Sequence, residues 1–87
     1  MKFSDFGRER KNDLAIFPCF PPFLKDKQFG YSVGWINGEY CFVWGNYKTK
    51  EQAEIVLKKE YPEHKIIYFD KENQPYHRWN KPNNDKT

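Results

Sequence analysis

The stretch Phe29 to Tyr47, FGYSVGWINGEYCFVWGNY, decides the fold: two apolar, aromatic-rich runs are joined by Asn37-Gly38. Asparagine tolerates positive φ and glycine adopts it freely, so the dipeptide predicts a two-residue type I′ hairpin turn whose twist suits the flanking strands. That turn sets Ile36 opposite Glu39, Trp35 opposite Tyr40, Gly34 opposite Cys41, Val33 opposite Phe42, Ser32 opposite Val43 and Tyr31 opposite Trp44. Side chains alternate along a strand. Tyr31, Val33, Trp35, Tyr40, Phe42 and Trp44 therefore share one face, and Ser32, Gly34, Ile36, Glu39, Cys41 and Val43 share the other. Both faces need cover. A lone hairpin is marginal in water, so the rest of the chain must supply strands or a helix.

With 87 residues the chain forms a single core, because a second could not be built from what is left over. Only 38% of residues are apolar while 20% are Phe, Tyr or Trp, so the core is expected to consist of few, large side chains. No run approaches the roughly 20 apolar residues of a membrane span, and MKFSDFGRERKND lacks the apolar stretch of a secretory signal. The expectation is a soluble, cytoplasmic protein with no membrane association. Cys19 and Cys41 form no CxxC pair and have no histidine at ligand spacing, which predicts reduced, buried, structural thiols, no metal site and no cofactor. Fifteen basic against twelve acidic residues give a net charge of +3, which permits a nucleic-acid partner without requiring one.

On either side of the hairpin the chain divides into three parts. Residues 1–13 read as a polar N-terminal arm pinned by Phe3 and Phe6, residues 14–79 as one α+β domain, and residues 80–87, NKPNNDKT, as a disordered tail with nothing to bury. Within the domain, LAIFPCFPPFL (Leu14 to Leu24) alternates prolines with apolar residues. Pro18 cannot donate to a ladder and Pro21-Pro22 favours extended polyproline, so this segment is expected as a strap across the sheet, short or at an edge if it forms a strand at all. Thr49 followed by Gln52 is a capping-box start, with Glu51 and Glu54 near the helix N-terminus and Lys58 and Lys59 near its end. Ala53, Val56, Leu57, Glu60 and Tyr61 form its stripe, and Pro62 stops it. HKIIYFD (His64 to Asp70) is apolar on both faces and reads as a strand, running parallel to the second hairpin strand after a helical crossover. DKENQP reads as a turn and Tyr76 to Trp79 as a short last strand. The fold class is thus α+β: a small antiparallel or mixed sheet packed against one α-helix, with a proline-aromatic strap.

The run GNYKTKEQAEIVLKK, with the hairpin before it, resembles in outline the hairpin-to-helix junction of the arm-binding module of tyrosine recombinases, over Tyr31 to Tyr61. That family reads DNA through exposed polar and basic groups on its sheet. Here the comparable positions are Tyr, Trp, Phe and Val, so the resemblance carries no DNA-reading sheet and no membership.

No phosphate loop, nucleophile elbow, HExxH or acidic pair placed for acid/base work is present, and His64 and His77 have no Cys or Ser beside them, so no enzyme is expected. The expected function is a small non-catalytic protein-binding module of adaptor or inhibitor type, a monomer or homodimer. The small side chains of the helix stripe suit the Gly34 and Cys41 face, leaving the aromatic face to the thin strap. Tyr31, Trp35, Tyr40 and Trp44 are then the partner-binding candidates. The alternative is a nucleic-acid-binding module using Arg8, Arg10, Lys11, Arg78, Trp79 and Lys81, where cationic and aromatic groups cluster. In the plainer reading of that cluster, Tyr76 and Trp79 pack while His77 and Arg78 face water.

Overall fold

The computed structural model describes residues 9–25 and 27–77. Arg8, Arg78, Trp79, Lys81, the tail at 80–87 and most of the N-terminal arm lie outside the described residues.

The hairpin forms as strands β2 (Tyr31–Asn37) and β3 (Tyr40–Tyr47). Its turn sits one residue later than expected. Asn37 pairs with Tyr40, so the loop is Gly38-Glu39, and Gly38 alone takes positive φ, at 66°. Glycine at the first of two loop positions satisfies a hairpin turn as well as Asn-Gly does. The slip changes partners, putting Trp35 opposite Phe42, but from the turn as far as Gly34–Val43 each partner moves by two residues, so those side chains keep their faces. Between Gly34–Val43 and Val33–Gly45 a bulge leaves Trp44 as the extra residue, and beyond it Ser32 faces Asn46 and Tyr31 faces Tyr47.

The Leu14 to Leu24 segment is not a strap. Leu14–Pro18 is strand β1, wholly buried, antiparallel to β2 and parallel to β4 (Ile66–Tyr68), in a sheet of order β3-β2-β1-β4. Pro18 is tolerated because its nitrogen points to the β4 side of the ladder. There β4 pairs only as far as Ile16–Tyr68, so the ladder ends before it would call on an N–H from residue 18. The Pro18 carbonyl is not wasted, since Gln74 Nε2 donates to it at 3.0 Å. After β1, Pro22–Leu24 makes one 3-10 turn.

Helix α1 (Lys50–Glu60) begins as the cap predicts, with the Thr49 hydroxyl accepting from the Gln52 amide at 3.1 Å. It crosses the sheet on the aromatic face, not on the Gly34 and Cys41 face. Ala53, Leu57 and Tyr61 join Leu14, Ile16, Val33 and Trp35 in the main core, with Tyr31, Trp44, Tyr47 and Ile66 packed around them. Area decides against close approach here. Each large aromatic buries about 150–250 Å², worth several kcal/mol at about 25 cal/mol per Å², and only the helix is broad enough to cover that many rings. β4 then returns beside β1, pointing the same way as β3 but not adjacent to it.

The second face carries Ala15, Phe17 and Cys41, with Ile36, Val43 and Phe69 around them. It does receive a strap, but from the other end of the chain. After β4, Phe69 donates to Ile16 O at 2.9 Å, and Asp70 accepts from the Glu72 and Asn73 amides in the expected turn. Tyr76 then reaches the far edge, donating to Glu39 O at 3.2 Å and accepting from Cys41 N at 2.8 Å, in a single parallel bridge to Tyr40. The result is a four-stranded mixed sheet with one helix on one face and a chain-wide strap on the other. Among the described residues no helix is long and apolar enough to cross a membrane.

Candidate functional site

Trp35 does not sit at a surface. It is 0% exposed, with Tyr61, His64 and Trp44 ring centroids at 4.9, 5.0 and 6.3 Å. Tyr31, Tyr40 and Trp44 are half-buried, as expected for residues left at the rim of a core. They do not converge. Tyr31 pairs with Pro18 at one end of β2, while Tyr40 pairs with Asn37 at the other, six residues or roughly 20 Å away. Tyr40 instead packs on Phe42 at 5.4 Å. The Trp44 indole Nε1 is buried with no hydrogen-bond partner among the described residues.

Of the alternative basic set, only Arg10 and Lys11 are described, and both are exposed. Lys11 borders a cleft of about 450 Å³ shared with Asp13, Glu60, Glu63, His64 and Lys65. Three carboxylates among those side chains make a poor track for a phosphate backbone. His64 Nδ1 lies 2.8 Å from Asn12 O, and since a carbonyl only accepts, that nitrogen carries the proton. No group of three or more His, Cys, Asp or Glu is placed to hold a metal among the described residues.

For Tyr76 and His77, the two described members of the C-terminal cluster, the plainer reading is reversed. His77 is buried, stacked on Phe17 at 4.9 Å with Nε2 3.1 Å from Gln74 Oε1, whereas Tyr76 is 38% exposed. Because Gln74 gives its amide N–H to Pro18 O, its oxygen accepts and His77 is protonated at Nε2. These bonds hold the strap at its middle and its end.

A strap one chain wide cannot fill a four-stranded face. It leaves an open groove of about 510 Å³ lined by Ile36, Gly38, Glu39, Ile67, Phe69, Gln74, Pro75 and Tyr76. On the helix side a second hollow of about 460 Å³, lined by Lys58, Tyr61, Pro62, His64, Ile66 and Tyr68, runs beside β4. Tyr68 is the hub of that side. Its hydroxyl donates to Glu54 in a short hydrogen bond, Lys50 Nζ lies 5.7 Å from its ring centroid, and Lys58 pairs with Glu54 at 3.3 Å. The carboxylate's hold on the hydroxyl, with some burial, pushes the Tyr68 phenol up to about 12. The same bond, with that to Lys58, holds Glu54 below the ordinary carboxylate range.

Both thiols are free and buried, as expected, and burial raises the Cys41 thiol to about 12, far from the thiolate that reactivity needs. Sequence reasoning did not find the groove. Its apolar residues come from the hairpin tip, β4 and the strap, which are distant in sequence, and the only local signal is that Ile66 to Phe69 is apolar on both faces.

No protein-family model matches the chain, and no curated protein or solved structure is detectably similar to it.

Proposed function

We propose that the protein is a small non-catalytic protein-binding module of adaptor or inhibitor type. The observation that carries this reading is the open apolar groove of about 510 Å³ on the strapped face of the sheet. A concave apolar surface rimmed by Glu39 and Gln74, with the part-exposed Tyr76 on its wall, has the make-up of an interface pocket: an aromatic anchor in a water-excluding surround. Tyr31, Tyr40 and Trp44 extend from the opposite face of the sheet and are no part of this groove, and Trp35 supports the fold from within the main core.

Tyr76→Ala tests it, because the backbone bridge to β3 does not need the side chain. The parent is expected to hold a stoichiometric protein partner from its source cell after nuclease treatment and in high salt. The folded variant is expected to lose it. Retention by the variant would take the groove out of the site. A partner lost steeply with salt or with nuclease would favour nucleic acid, since phosphate contacts release counterions and apolar contacts do not.

A further inference from the structure

We infer that the outer edge of β4 receives an extended acidic-apolar peptide segment of a partner protein as an added strand; this rests on the protein-binding reading and names its mode. Along β4, Leu14 N donates to Lys65 O at 2.7 Å and Phe69 N donates to Ile16 O at 2.9 Å. Alternation then turns the N–H and C=O groups of Ile66 and Tyr68 away from β1. β4 is the terminal strand of the sheet, so among the described residues no strand takes these donors and acceptors.

The competing edge is already defended. β3 carries the Tyr76 bridge at one end and the Trp44 bulge further along, both devices that discourage a new strand. Ile66–Tyr68 contains no proline, lysine or bulge.

The two faces of this edge match alternate residues of an added strand. On one side Ile67 and Phe69 open into the apolar groove. On the other, Lys50 and Lys58 flank Tyr68. Glu54 is the carboxylate within this flank and is engaged by Tyr68 and Lys58, while Asp70 is tied into its own turn. The excess of ammonium groups selects carboxylates on the helix side and apolar side chains on the groove side. It also disfavours a second copy, whose β4 would bring its own lysines.

The test uses the full ¹⁵N-labelled chain and a capped peptide of alternating glutamate and valine, with a lysine-valine peptide as control. The glutamate peptide is expected to shift the amide signals of Ile66 to Phe69 and the control to leave them unmoved. Tyr68→Pro removes an outward donor without touching the ladder to β1, and Tyr68→Ala removes the same side chain but keeps the N–H. Both variants are checked for fold by circular dichroism. Tyr68→Pro is expected to bind about tenfold more weakly than Tyr68→Ala, the loss of one backbone hydrogen bond at the upper end of its net worth.

Equal binding by the two variants, or by the two peptides, would overturn the proposal. So would shifts confined to the groove or to Tyr31, Tyr40 and Trp44, though these would leave the protein-binding reading standing. A dimer that Tyr68→Pro converts to monomer would assign the edge to a second copy and overturn it too. Absence of any shift would also refute the edge mode, while the Tyr76→Ala capture would still decide the broader reading independently.

Discussion

Replacing Trp35 with alanine empties the centre of the main core, because the indole is 0% exposed and has three aromatic neighbours with centroids within 6.3 Å. Truncating a buried tryptophan costs about 3–5 kcal/mol, from lost transfer energy and the cavity left behind. The rigid sheet beneath Trp35 and the helix above it leave little room to collapse, which favours the upper half of that range. A domain of this length has a total stability of about 4–13 kcal/mol. Trp35→Ala is therefore expected to lose a quarter or more of it and to lower Tm by at least about 12 °C. Urea and thermal unfolding followed by far-ultraviolet circular dichroism measure this without relying on the indole being removed. Trp35→Phe, which keeps a ring in the site, is expected to lose markedly less. If Trp35→Ala unfolded at the parent's midpoint, the indole would have to lie at the surface. The placement of α1 on the aromatic face would then be wrong.

Further consequences concern the second face, the turn and alkaline pH. A Cβ on Gly34 would lie 2.2 Å from Phe42 O and 2.7 Å from Cys41 Sγ, so Gly34→Ala is expected to cost about 1–3 kcal/mol or more in denaturant melts. At Gly38 no atom lies within 4 Å of an added Cβ, but φ is +66°, so Gly38→Val is expected to cost about 1–3 kcal/mol through backbone strain alone; an unchanged midpoint would refute the turn. Cys41 is raised from 9.0 and Tyr68 from 10.0, each to about 12, so the folded state holds both groups neutral where the unfolded chain ionises them. Their contribution is full below pH 9.0 and lost as pH rises toward about 12, and Cys41→Ala should flatten that decline in melts across the range. Cys41 should also resist alkylation near neutral pH until urea is added, and rapid labelling of the native protein would contradict its burial.

Local chemistry by itself determined the hairpin, the capped helix, the strand after it and the turn at Asp70. Each rests on neighbours close in sequence: a glycine able to take positive φ, the Thr49 hydroxyl three residues from Gln52, and a carboxylate bonding the next amides. The division of the hairpin into two faces was legible too and survived the slip in register as far as Gly34–Val43, because a shift of two residues preserves alternation. What covers each face was decided only in three dimensions. Pro18 argued locally for an edge or a strap, yet it caps the most buried strand because β4 ends before reaching it. The helix went to the aromatic face because the larger apolar area outweighs the closer approach that Gly34 and Cys41 allow. The groove, the β4 edge and the burial of His77 rather than Tyr76 all follow from how far the returning chain reaches across the sheet. That path is set by contacts such as Gln74 to Pro18 and Tyr76 to Glu39, between residues far apart in sequence, which local propensity does not encode.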